Sequence, residues 1–301
     1  MRAPAFAFVG AAALLAGCNG ETRAPQQGAS ASGGARQDGP AMAIVRLPTP
    51  PESTLKDDPL SRSVRRGRAL LAATRDSLPR HVGNDLRCNS CHLDEGTRAY
   101  SMPYVGVYAR YPQYRSRRGA VELIEERVND CFVRSMNGRS LDPESRDIRD
   151  IVSYFKWLST GIAVGKRVVG QGIDSIVPPN VPNEARGATV FVTQCARCHG
   201  PDGAGAQVVT MPGVYAPPLW GPRSFNIGAG MARLRVTAAF VRSNMPFDKP
   251  GTLTPQDAFD VAAFMNGHER PDFAGKENDW PNGDPPSDVT YKTRAKSDSR
   301  P

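Results

Sequence analysis

Cys88-Asn89-Ser90-Cys91-His92, with its second occurrence Cys195-Ala196-Arg197-Cys198-His199, decides the reading of this 301-residue chain. Both are C-x-x-C-H, the attachment signature of c-type haem. Two thiols three residues apart on one helical turn reach the two vinyl groups of a single porphyrin, and the adjacent His ligates the iron. A redox dithiol or disulfide pair is the plainer alternative, but it does not explain a His after both pairs. The expectation is two covalently bound haem c groups, held by Cys88, Cys91, Cys195 and Cys198, with His92 and His199 on the irons. Six cysteines in an exported chain would otherwise suggest disulfides. Here only Cys18 and Cys131 are left over.

The surroundings of the two motifs repeat as well. Gly67-Arg68-Ala69-Leu70-Leu71 precedes the first and Gly187-Ala188-Thr189-Val190-Phe191 the second, each an apolar helix start led by Gly. Downstream, Asp150-Ile151-Val152-Ser153-Tyr154-Phe155 matches Asp260-Val261-Ala262-Ala263-Phe264-Met265 as a closing amphipathic helix. His92 to Trp157 and His199 to Phe264 both span 65 residues. The chain therefore reads as two copies of one haem-binding unit. With His199-Gly200-Pro201-Asp202-Gly203, the second copy resembles class I cytochrome c. The expected fold is mainly α, with two class I cytochrome c-like domains, each wrapped around one covalent haem and joined by an irregular linker. The domains fall at 55–160 and 183–268, the linker at 161–182, and a polar, Pro-rich tail at 269–301 wraps the surface.

At the N-terminus, Arg2, an apolar run from Ala5 to Ala16 and the ending Leu15-Ala16-Gly17-Cys18 form an export signal over 1–18. The run is short for a membrane span. The ending resembles a bacterial lipobox, which implies acylation of Cys18; ordinary signal cleavage is the alternative. Residues 19–54, rich in Gly, Ala, Ser, Pro and Gln, read as a flexible tether. The expectation is a periplasmic protein attached to a bacterial membrane through a lipid on Cys18. The net charge of +8 includes arginine clusters at 62–68 and 110–118. In an exported protein this points to a small anion or an acidic protein partner and away from nucleic acid.

Each iron needs a sixth ligand. For the second, Met245 in Arg242-Ser243-Asn244-Met245-Pro246 has the Met-Pro form of class I cytochromes; Met211-Pro212 comes early for that role, and a core role is the plain alternative for Met245. No such loop stands at the matching place in the first copy. Cys131 stands there, in the stretch from Gly119 to Gly138. Val121, Ile124, Val128 and Phe132 recur at helical spacing, and Asn137-Gly138 supplies a stop. Arg127 then lies one turn before Cys131 and Ser135 one turn after. By the helix alone, Cys131 is a small buried hydrophobe. With the other cysteines assigned, it becomes a candidate iron ligand and sulfur nucleophile. His81 and His268 read as surface residues.

From Pro59 to the tail, and most specifically in Arg-Val-Asn-Asp-Cys-Phe-Val-Arg-Ser-Met-Asn-Gly at 127–138, the pattern resembles the dihaem thiosulfate dehydrogenases, the tetrathionate-forming cytochromes c of bacterial periplasms. The resemblance implies Cys131 as distal ligand of a catalytic first haem, and a His199/Met245 haem that passes electrons onward. It puts the active-site arginines and serine on Arg117, Arg127 and Ser135, with Arg118 competing for the first assignment. It implies that two thiosulfate ions are joined to tetrathionate, or the reverse, with electrons exchanged with an acceptor cytochrome or similar redox protein. Two departures stand out. Asn244 occupies the place where some members carry a ligand-switching Lys, and this chain carries a lipid-anchor motif in a family usually pictured as soluble. The alternative functions are a dihaem electron carrier without substrate chemistry and, with only the haem count behind it, a dihaem peroxidase.

Overall fold

The computed structural model describes residues 40–294. The export signal, Cys18 and most of the tether lie outside the described residues. Among those described, no helix is long and apolar enough to cross a membrane.

The first half contains helix α1 (Pro59–Ala72), a hairpin of β1 (Gln113–Arg115) and β2 (Ala120–Glu122), then α2 (Ile124–Val133) and α3 (Arg146–Leu158). α1 starts where it should: the Asp58 side chain accepts from the Ser61 N–H, and Pro59 occupies the first turn. α3 starts at Ser145, whose hydroxyl accepts from the Ile148 N–H. The two helices cross at Gly67, where an added Cβ would lie 1.9 Å from the Asp150 carbonyl oxygen. Arg66, next to that glycine, pairs with the Asp150 carboxylate at 2.5 Å.

The second half repeats this frame. Helix α4 (Glu184–Val190) runs through a wider turn into the second haem motif; the short strands β3 (Ala206–Gln207) and β4 (Tyr215–Ala216), α5 (Leu234–Asn244) and α6 (Pro255–Gly267) follow. α4 crosses α6 at Gly187, whose Cβ would lie 2.0 Å from the Asp260 carbonyl. Arg186 pairs with Asp260 at 2.8 Å. The glycines noticed in the sequence thus permit the same close helix crossing twice.

The core of the first half gathers Val64, Leu70, Leu71, Ile148, Ile151, Tyr154 and Phe155 with Phe132 and Met136, and takes in Phe225, Ala229 and Ala232 from the second half. A separate cluster in the second half contains Val190, Phe191, Val241, Leu253, Val261 and Met265. A polar tie also joins the halves: the Asn244 side-chain amide donates to the Tyr100 carbonyl at 3.1 Å.

Two expectations require correction. The stretch 119–138 is not helical from its start. Val121 is in β2 and 64% exposed, and the helix begins only at Ile124. Glu122 explains the difference: drawn inward by Arg115 and Arg118, its carboxylate holds the chain extended across the hairpin. The Glu126 carboxylate then accepts from the Leu123 N–H and opens α2. α2 ends at Val133, so Ser135 lies in the turn beyond it. The helix therefore stops several residues before the Asn137-Gly138 signal, which instead closes the following turn, with Asn137 at φ +45° and the Gly138 N–H donating to the Phe132 carbonyl. The tail is also more than a surface wrap: Asp279 and Trp280 are buried, and the Trp280 N–H donates to the Arg117 carbonyl.

Candidate active site

The fold encloses two neighbouring cavities. The larger, of about 630 Å³, is lined by Cys88, Cys91, His92 and Cys131, together with Arg117, Arg127 and Ser135. The smaller, of about 340 Å³, is lined by Cys195, Cys198, His199 and Met245. Every site residue read from the sequence therefore falls on one cavity or the other. Met211 shares the second with Met245, whereas His81 and His268 line neither. Leu86, Arg87, Cys91 and Met231 border both cavities.

Each motif histidine is oriented by backbone. The Nδ1 of His92 meets the Met102 carbonyl at 2.5 Å, and that of His199 meets the Pro217 carbonyl at 2.9 Å. With Nδ1–H as donor, Nε2 is left as the free lone pair on each ring. Burial pulls His92 down to about 4, so the imidazole is neutral at ordinary pH. Burial likewise pushes the Cys88, Cys91 and Cys195 thiols up to about 12. All four motif cysteines are free of disulfides. No group of three or more His, Cys, Asp or Glu suited to a bare metal ion occurs among the described residues. Paired buried thiols, a neutral oriented histidine and a cavity of cofactor size fit haem c in both halves.

Around Cys131 the charge is unusual. Arg127 lies one helical turn earlier, and its Nη1–H donates to the Cys131 sulfur at 3.3 Å. Arg127 is held protonated beyond the ordinary range, chiefly by negative charge on Cys131. Neither Arg127 nor Arg117 forms an ion pair with a carboxylate among the described residues. Burial, and next the neighbouring Arg134, pull Arg117 down to about 10. Arg118 is in the opposite position: it pairs with Glu122, Glu126 and Asp130, each at 3.2 Å. Of the two adjacent arginines, only Arg117 has its charge unspent.

Reading the sequence missed Arg134, which is 8% exposed and lines the same cavity. It donates two hydrogen bonds to Asp279, at 2.7 and 2.8 Å, and stacks over Phe273 at 4.3 Å. It also missed Trp280 on the cavity wall. A lone Trp in a polar tail was the available signal, since such a residue needs burial and an N–H or ring partner.

Two cavities of this kind, each with a C-x-x-C-H motif on its wall, define a two-domain c-type cytochrome. Residues 81–164 match the SoxA/TsdA cytochrome c domain family and residues 184–269 the cytochrome c family. A thiosulfate dehydrogenase of Psychrobacter arcticus is 42% identical over 240 residues, covering 80% of this chain and 73% of that protein. Another, of Allochromatium vinosum, is 42% identical over 234 residues, covering 76% of this chain and 86% of its own length. The solved thiosulfate dehydrogenase TsdBA of Marichromatium purpuratum, in its as-isolated form, superposes with a TM-score of 0.70 at 39% identity. That match covers 75% of this chain, which spans half the length of the solved one. The chain belongs to the thiosulfate dehydrogenase family.

Proposed function

We propose that this protein joins two thiosulfate ions into tetrathionate at the first cavity, and that the same site serves the reverse reaction. The carrying observation is the Arg127–Cys131 contact at 3.3 Å, inside a cavity that also holds the unpaired Arg117. Haem c, held by Cys88, Cys91 and His92 in the first half and by Cys195, Cys198, His199 and Met245 in the second, supplies two one-electron acceptors when bound. Cys131 would be a further residue holding the first. A thiosulfate dianion needs charge-assisted hydrogen bonds for its sulfonate oxygens, and Arg117 and Arg127 offer them, with the Ser135 hydroxyl beside them. Arg127 also donates to the Cys131 sulfur.

In the first step the Cys131 thiolate and the sulfane sulfur of one thiosulfate form an S–S bond, and two electrons leave. In the second, the sulfane sulfur of another thiosulfate attacks the sulfane sulfur bound to Cys131. The Cys131–sulfur bond breaks, the thiolate is regenerated and tetrathionate departs. No proton is consumed. The chemistry needs an electron acceptor outside the chain, a cytochrome or similar redox protein. The Leu15-Ala16-Gly17-Cys18 motif supports a periplasmic site of action on a lipid tether.

Cys131→Ala decides the matter. The expected variant keeps both haems by mass and pyridine haemochrome yet forms no tetrathionate, and its oxidised EPR spectrum loses a thiolate-type low-spin signal present in the wild type. A fully active variant, or a wild-type spectrum with only nitrogen and thioether ligation, would point to the electron carrier.

A further inference from the structure

We propose that the C-terminal segment from Pro271 to Tyr291 is a strap that completes the substrate site, and that Trp280 on it is the positioning residue for Arg117. This rests on the functional reading above and names what aims its anion-binding cation. The strap is distant in sequence from the hairpin that carries Arg117, yet it meets that hairpin at several points. The Trp280 N–H donates to the Arg117 carbonyl at 2.8 Å, and the Arg117 guanidinium lies over the indole at 4.6 Å. The Asn282 amide donates to the Tyr114 hydroxyl at 2.8 Å. Trp280 and Pro286 themselves form part of the cavity wall.

The strap treats the two neighbouring arginines differently. Arg134 receives a carboxylate, Asp279, which the Tyr291 hydroxyl braces by donating to it at 2.6 Å. Arg117 receives only an aromatic face and, from elsewhere, the Gly228 carbonyl, which accepts from its Nη1–H at 2.7 Å. Its remaining N–H groups have no partner among the described residues. An aromatic face steadies a guanidinium without cancelling its charge or occupying its in-plane donors. The strap therefore neutralises one cation and presents the other to an incoming sulfonate.

The backbone supports the same assignment. Trp280 sits at φ +51°, in the left-handed region that bulky side chains rarely adopt. At 2% exposure it is nevertheless one of the most buried residues of the strap. A strained conformation held by its contact to Arg117 is the expected mark of a residue placed for a purpose. The far end of the strap is secured independently, by Asp288 to Arg233 at 2.8 Å and to the Arg235 N–H at 3.0 Å.

The test uses full-length holoenzyme and three variants: Trp280→Phe, Trp280→Leu and Arg117→Ala, with the Arg117→Ala/Trp280→Leu double variant. Cation–π contacts of this type support an expected rise of about tenfold in KM for thiosulfate with Trp280→Leu, at a kcat within about threefold of wild type. Trp280→Phe, which keeps an aromatic face, stays within about threefold in both. In the Arg117→Ala background, Trp280→Leu adds no further loss, because the residue it positions is gone. Haem content and visible spectra remain those of the wild type throughout. Full additivity in the double variant, equal effects of Leu and Phe, or a loss in kcat with KM unchanged would overturn the strap's role while leaving the functional reading intact. A wild-type enzyme that does not oxidise thiosulfate removes the functional reading, and the inference with it.

Discussion

α2 in the first half and α5 in the second stand at the same place in chain order, between haem motif and closing helix, and they face very different cavities. α2 carries Arg127 and Cys131, and its cavity is bordered by Arg110, Arg115, Arg117, Arg118 and Arg134 as well. α5 leads into Met245, in a cavity whose arginines are Arg87, which borders the first cavity too, and Arg197, paired with Asp248. The frame around them is the same: a glycine-mediated helix crossing, an Arg–Asp pair beside it, and a histidine held by a backbone carbonyl. The lesson is a division of labour within each half. Under the proposed function, the shared features would hold the cofactor, and α2 or α5 would decide whether its half does chemistry or only exchanges electrons.

The strongest way to break this comparison is at the crossing glycines. Gly67→Ala and Gly187→Ala each drive a methyl into a backbone carbonyl, and the helices must separate at a cost on the order of 3 kcal/mol. If the frames are equivalent, each variant loses haem from its own half first, as peptide mapping of haem attachment would read. Loss of both haems from either variant would show that the halves fold as one.

A smaller effect separates the two adjacent arginines. Arg117→Gln is expected to raise KM for thiosulfate by at least tenfold, as loss of a charge-assisted contact does. Arg118→Gln leaves KM within about threefold and lowers Tm instead, because Glu122, 1% exposed, then keeps only the longer Arg115 contact. The reverse pattern would assign the substrate to Arg118.

Smallest are the helix caps. Ser145 opens α3 and Thr254 opens α6 by the same side-chain bond to a backbone N–H. Alanine at either position should cost about 1 kcal/mol, a Tm decrease of a few degrees by calorimetry. Unequal decreases would show that the closing helices bear unequal shares of stability.

Much of this was legible in the sequence because it is written in short-range spacing. C-x-x-C-H motifs, glycines leading apolar helices, and the Arg127–Cys131 interval each lie within a turn or two of helix. The Val121 expectation failed for a related reason: helical spacing extended the period back across Glu122, whose ion pairs favour a strand. Arg134 and Trp280 escaped notice because their partners, Asp279 and Arg117, lie far away in the chain. No local period encodes a contact of that length, and proline-rich polar composition masked the one buried indole.

The short segment from Tyr100 to Met102 bears on how separable the two halves are. At one end its carbonyl receives the Asn244 amide, beside Met245 in the second half; at the other its carbonyl receives the His92 ring of the first. Its amides are held by Gly170 and Gly172 of the connecting region. Two halves built on the same frame thus each hold part of the other. Exchanging one half for an unrelated cytochrome would have to supply a donor at Asn244 or an apolar surface for Phe225, Ala229 and Ala232, so neither half is a free-standing module.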